Sequence, residues 1–198
     1  MHRPSLSSRI VRAIVLWLYR RKGWQLDPGA PALKKFIIAG APHTSNWDFV
    51  FFIGATDALG IRPRFVGKHS LFRWPLRRFM FDMGGVPINR SASRNYVEQV
   101  AAAFAAEDDF RLVIAPEGTR GGNGKWRSGF YHIARSAGVP VVPAWVDNAA
   151  MRGGLGPAID LTGDFEADMT RIADFFRSKM PDHPKLAGLY AMVDESDD

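Results

Sequence analysis

The chain has no cysteine in its 198 residues. That excludes disulfides, thiolate metal sites and a cysteine nucleophile, and leaves His, Asp, Glu, Ser and Thr to carry any chemistry. Long apolar runs are missing too. "IVRAIVLWLY", from Ile10 to Tyr19, and "FVFFIGATDALGI", after Asp48, fall short of the roughly 20 apolar residues that a spanning helix needs. Each also carries a charge, Arg12 in the first and Asp57 in the second. "YRRKGWQLD" follows the first run in place of a small-residue cleavage site, so it does not read as a secretory signal. Repeats, low-complexity blocks and long linkers are absent as well, which puts all motifs in one domain.

Acids are absent from the beginning of the chain. Arg3, Arg9, Arg12, Arg20, Arg21 and Lys22 precede the first of them, while Asp194, Glu195, Asp197 and Asp198 crowd the other end. The formal charge of +6 favours an acidic partner: nucleic acid, an anionic membrane surface, a phosphorylated substrate or an acidic carrier protein. Nucleic acid fits least, because there is no recognition-helix motif, no zinc-knuckle cysteine and no clear aromatic stacking signature.

What is present is the composition of a folded protein, 46% hydrophobic and 23% charged, at a length that suits one domain with a sizeable core. The expected division is an N-terminal membrane-interface helix over 1–25, a main domain over 26–190 and an acidic tail over 191–198. On a helical wheel Ile10, Val11, Ile14, Trp17 and Leu18 share a broad face, and Arg9, Arg12, Tyr19 and Arg20 gather opposite. This is the pattern of a helix lying in a membrane interface, with Trp24 as a further anchor. An amphipathic helix packed on the protein's own core shows the same pattern, and both readings stand.

Short apolar runs bounded by Gly, Pro or charge predict strands over Lys35 to Gly40, Arg64 to Gly67, Gly85 to Asn89, Arg111 to Ala115 and Val139 to Val146. Helical periodicity covers Asn95 to Ala106 and Phe165 to Met180, and the run after Asp48 reads as a buried helix. Strands alternating with helices predict an α/β fold: one domain with a central mixed, largely parallel sheet flanked by helices, plus the N-terminal amphipathic interfacial helix.

"FIIAGAPHTSNWD" delivers His43 into a polar turn with Asp48 following. Inside one regular helix five positions would set these side chains about 140° apart, so they cannot pair there. They can pair if His43 ends a loop, Thr44, Ser45 or Asn46 caps a new helix, and Asp48 sits in its first turn. Asp48 would then fix the tautomer of His43 and leave the other ring nitrogen to take a proton from a hydroxyl. The same spacing also suits a structural histidine near a helix start, with Asp48 serving the helix dipole.

"APEGTRGGNGKW" follows a predicted strand. A P-loop needs Gly where Thr119 stands and Ser or Thr where Trp126 stands, so it is not a nucleotide loop. What remains is a glycine-rich turn whose N–H groups, with Arg120, Lys125 and Arg127, can hold a phosphate or simply face solvent. "GGVPINR" places Arg90 after a strand, where α/β sites are built. "GVPVVPAWV" reads as wall or edge strand. His132 reads as structural on a packed helix; His2 and His183 carry no argument.

Taken in order, "HTSNWD", "GGVPINR", "PEGTR" and "VPVVP" resemble the four motif blocks of the glycerolipid acyltransferase superfamily, typified by the 1-acylglycerol-3-phosphate acyltransferases. The resemblance runs from about His43 to Pro143. It implies that His43 is the general base and Asp48 its orienting partner. Arg90 matches the arginine of the second block. Glu117, Gly118, Thr119 and Arg120 match the third, associated with the acceptor's glycerol phosphate. Lys68, in "FVGKHSLF", looks like the family's lysine between the first two blocks, for phosphate or carbonyl stabilisation. Asn89, Ala115 and Gly121 depart from the residues common at their positions.

The resemblance implies acyl transfer from an acyl thioester, acyl-CoA or acyl carrier protein, to a hydroxyl of a phosphate-bearing lysophospholipid, with no cofactor or metal. It makes residues 26–190 an acyltransferase catalytic domain, bound peripherally to the cytoplasmic face of an anionic membrane, with no nucleic acid as partner. Two alternatives remain: a noncatalytic basic membrane-docking module, and a metal-dependent phosphoesterase in which His43, Asp48 and His69 hold the ion.

Overall fold

The computed structural model describes residues 4–88, 96–118 and 125–194, with backbone alone for 67–69, 71, 87 and 88. Seven strands form one sheet in the order β1-β7-β6-β2-β5-β3-β4. They are β1 (Gln25–Leu26), β2 (Lys35–Ala41), β3 (Arg64–Lys68), β4 (Gly85–Ile88), β5 (Phe110–Ile114), β6 (Val141–Asp147) and β7 (Arg152–Leu155). Every neighbouring pair is parallel except β6 with β7. The sheet is therefore mixed and largely parallel, as expected. Because β6, β2, β5, β3 and β4 run one way, the loops that follow them all leave from one edge, where α/β sites form.

The helices are α1 (Leu6–Lys22), α2 (Trp47–Ala58), α3 (Arg77–Asp82), α4 (Tyr96–Ala106), α5 (Gly129–Ala137), α6 (Phe165–Lys179) and α7 (Ala187–Asp194). Central β2 is buried on both faces, which is why it reads as a continuous apolar run rather than an alternating one. Its side chains nevertheless alternate between two cores. Ile37, Ala39 and Ala41 join Phe104, Phe130, Ile133, Ile172 and Phe176 of α4, α5 and α6. Phe36 and Ile38 face the other way, with Val142 and Ile61.

On that second side α2 lies over the sheet and α1 packs on α2. The close approach is made at Gly54, where a Cβ would fall 2.0 Å from the Tyr19 ring. Tyr19 stacks on Trp24 with ring centres 5.6 Å apart and meets Phe51 of α2 at 6.1 Å. Arg12 pairs with Asp57 across the same contact. Ser5 caps α1, and Gly23 ends it in the left-handed conformation.

Tyr19, placed by the helical wheel on the polar side, is thus the buried anchor. Ile10, Ile14 and Trp17 keep 53%, 52% and 60% of their surface exposed. The helix packs on its own domain and still shows an apolar stripe to the outside. No helix among the described residues is long and apolar enough to cross a membrane.

Strands β1 and β7 were not expected. Strand β7 reads "RGGL", and two glycines in so short a run look like loop. Packing demands them: a Cβ on Gly153 would lie 2.4 Å from the Phe51 ring. At the C-terminus, α7 continues to Asp194 with Val193 buried, so residues 191–194 belong to the domain rather than to the expected acidic tail.

Candidate active site

Strand β2 ends at Ala41, a cis Ala41–Pro42 bond follows, and His43 opens the loop into α2. Asn46 starts that helix without a side-chain cap, while the Ser45 hydroxyl accepts the N–H of Trp47 at 2.9 Å. Asp48 stands in the first turn and reaches backwards. Its Oδ2 accepts from the N–H groups of Thr44 and Ser45 at 2.8 and 2.9 Å, and lies 3.0 Å from His43 Nδ1. Its Oδ1 accepts from Asn148 Nδ2 at 2.6 Å.

Asp48 is 9% exposed. Burial works to raise its pKa, but the bonds from His43, the Ser45 N–H, Asn148 and the Thr44 N–H together hold it below the ordinary carboxylate value. A carboxylate kept charged beside Nδ1 fixes the ring with its proton there. Nε2 is then the basic nitrogen.

A second anchor comes from the loop after β5. Glu117 Oε1 accepts the backbone N–H of His43 at 2.9 Å, and Oε2 has no hydrogen-bond partner among the described residues. Burial raises the Glu117 pKa, partly offset by that N–H and by the charges of His43 and Lys185. The turn beneath is closed by Gly118 N–H to Ala115 O and Arg127 N–H to Pro116 O, both 3.0 Å. Gly118 takes φ +72, and a Cβ there would sit 3.3 Å from Arg127 Nε, so this position calls for glycine on two counts. The Arg127 guanidinium consequently lies over the turn.

Of the residues singled out from the sequence, His43, Asp48, Glu117 and Gly118 come together at one edge of the sheet. Lys68 ends β3 at that edge, in register with Ile88; its side chain lies outside the described residues, as do Arg90, Thr119 and Arg120. Sequence reading missed Asn148 and Lys185. Asn148 follows β6 at the same edge, and that position was its available signal; Lys185 precedes α7 and offered none. His132 is exposed on α5, with its ring against Tyr131.

Beside the dyad a cavity of about 510 Å³ runs under α2. His43 and Asp48 stand in its wall; Ile38 and Ala144 of the sheet, Phe52 and Ala55 of α2 and Phe79 of α3 form much of the remainder. The arrangement sets the His43 ring beside a largely apolar space, with the Arg127 guanidinium over the neighbouring turn. Asp48's oxygens hold hydrogen-bond donors, an environment made for an anion and not for a metal ligand set.

A family model described as Acyltransferase matches residues 29–147. A 1-acyl-sn-glycerol-3-phosphate acyltransferase of Limnanthes alba is 28% identical over 148 residues, 70% of this chain and 50% of the relative. One of Haemophilus influenzae is 34% identical over 110 residues, 51% of this chain and 43% of the relative. The chain spans about half the length of these curated relatives. In fold it is similar to the crystal structure of the 1-acyl-sn-glycerophosphate (LPA) acyltransferase of Thermotoga maritima, with TM-score 0.58 and 14% identity, covering 88% of this chain and 80% of that one.

Proposed function

Because the chain belongs to the Acyltransferase family, we propose that it moves a fatty acyl group from an acyl thioester to a hydroxyl of a phosphate-bearing lysolipid such as 1-acylglycerol-3-phosphate. The observation that carries this reading is the His43–Asp48 pair, 3.0 Å apart, set in the wall of an apolar cavity. His43 Nε2 takes the hydroxyl proton as the oxygen attacks the thioester carbonyl. The tetrahedral adduct collapses by breaking the carbon–sulfur bond, and the proton leaves with the thiol. No acyl-enzyme is needed. General-base help of this kind is typically worth about 10²- to 10⁴-fold.

The cavity takes the hydrocarbon chain, which keeps the ester-forming carbon at the dyad. Arg127, over the Gly118 turn, and Lys185 supply positive charge for the acceptor's phosphate and for an acidic donor, acyl-CoA or acyl carrier protein. Arg90, Arg120 and Lys68 are assigned the same task on the motif match. Glu117 holds the backbone of His43 in place and is a positioning residue in this scheme. The exposed stripe of α1, with Arg20, Arg21 and Lys22 in its last turn, makes peripheral contact with an anionic leaflet on the side that carries the donors.

The test is thiol release from long-chain acyl-CoA with lysophosphatidic acid in detergent, comparing wild type with His43→Ala and Asp48→Asn. Release that requires the lysolipid and falls at least about 10²-fold in His43→Ala supports the reading. Release indifferent to His43 overturns the assignment of the base.

A further inference from the structure

Trp74 is 91% exposed, more than any other large apolar side chain among the described residues. Two positions on, Leu76 is 50% exposed and also lines the cavity; Phe79 and Met80, next on α3, are buried and line it too. Within one short segment the chain thus passes from open solvent to the cavity wall. Arg73, Arg77 and Arg78 surround Trp74 and are exposed, with Arg78 Nε 3.2 Å from Asp82.

The same α3 is tied to α1. Asp82 Oδ2 accepts from the Ser5 N–H at 3.0 Å and from its hydroxyl at 3.1 Å. Those bonds join the start of α1, where Leu6 is exposed, to the last turn of α3, where Phe81 is exposed. The helix that follows the Trp74 segment is thus anchored to the helix that carries the exposed α1 stripe.

We infer that the Trp74–Leu76 segment is a second membrane-inserting element and forms the doorway through which a lipid's hydrocarbon chain passes from an anionic leaflet into the cavity. An indole ring fits the depth of lipid headgroups, and each arginine near an anionic surface adds attraction. Leu76 and Phe79 both line the cavity, so a chain moving past them meets apolar side chains, which lowers the hydration cost of its transfer. A second copy of the protein is the poorer occupant, because a two-fold contact through this patch would bring Arg73, Arg77 and Arg78 against their own counterparts. The doorway role rests on the acyl-transfer reading; the insertion does not.

Trp74→Ser removes the ring from a solvent-exposed position and leaves the core intact. Co-sedimentation with phosphatidylcholine vesicles, with and without phosphatidylglycerol, measures insertion without any turnover. The expected result is a partition about tenfold weaker than wild type on the anionic vesicles. Thiol release is then compared for long-chain substrates carried in those vesicles and for short-chain substrates dissolved as monomers. A loss confined to the vesicle-borne substrates, with monomer turnover unchanged, is the expected outcome. Unchanged partition, equal loss on both kinds of substrate, or a change in molecular mass without vesicles would each overturn the inference. A wild type that binds vesicles and transfers nothing would overturn the enzymatic reading and the doorway, and leave the insertion standing.

Discussion

One amide group holds the far side of the Asp48 carboxylate. Asn148 donates to Asp48 at 2.6 Å and to Thr44 Oγ1 at 3.2 Å, which joins the loop after β6 to the start of α2. Asn148→Ala should lower kcat by about tenfold and cost about 1–3 kcal/mol of stability, because a buried charge loses a donor. Asn148→Asp should do worse, since it sets a second carboxylate against Asp48. Thermal unfolding beside steady-state kinetics separates the two variants. Glu117 offers the opposite sign. Its pKa is raised in the fold, so its contribution to stability is full below the unfolded value, roughly 4.3, and declines as pH rises through the folded one. Glu117→Gln keeps an acceptor for the His43 N–H and should be the more stable protein at neutral pH, by chemical denaturation; Glu117→Ala should lose stability and activity together. The pairing of His43 with Asp48 was legible in the sequence because a strand, a turn and a helix start leave few ways to place five consecutive positions. Asn148 was hidden, because its partner lies 100 positions away and a lone Asn after a strand has many ordinary uses.

Among the elements, α1 depends on one close approach to α2. A side chain at Gly54 would occupy the space of the Tyr19 ring, 2.0 Å from its nearest atom. Gly54→Ala should destabilise the protein by about 1–3 kcal/mol, despite the better helix propensity of alanine. It should also speed tryptic cleavage around Arg20 and Arg21, a direct report on α1 leaving α2. The other end of α1 is pH-sensitive. Burial works to raise the Asp82 pKa, but the Ser8 and Ser5 hydroxyls, the Ser5 N–H and the Arg78 charge bring it down to about 2. A depressed carboxylate stabilises above its unfolded value and is lost as pH falls through its folded one. The tie between α1 and α3 should accordingly persist at neutral pH and fail between roughly pH 4 and pH 2, seen as faster hydrogen exchange in α1. The helices that periodicity reveals, α4 and α6, turn their apolar faces to the large core. Strand β7 escaped because its residues are chosen by what must not be there: close approach of Phe51 excludes side chains, and a run of absences carries no period. The outward stripe of α1 was visible on the wheel, yet Tyr19 shows that an aromatic ring beside arginines can be the side that packs.

At the scale of the whole molecule the two faces of the sheet carry different cores. The side of α4 to α7 buries Phe104, Phe130, Phe176 and Leu189 almost wholly. The side of α2 carries the cavity of about 510 Å³. Substituting bulk into the hollow side should therefore cost selectivity before it costs folding. Ala55→Phe should shift donor preference toward shorter acyl chains, read as the ratio of kcat/KM for long and short acyl-CoA, with a change in stability of about 1–3 kcal/mol at most. The same volume added at Ala134 or Ala173, which are wholly buried in the large core, should unfold the protein. Sequence gave no view of this asymmetry, since apolar residues that line a space and apolar residues that fill one are the same residues.

The family match ends at residue 147, one position before Asn148. A chain cut there would keep every recognised motif and forfeit the amide on Asp48, the charge of Lys185 and the whole of β7. Strand β6, now flanked by β2 and β7, would become an open edge, a template for pairing with other chains. Such a fragment should precipitate, which sets the smallest portable piece of this protein well beyond its motifs, at the far side of α7.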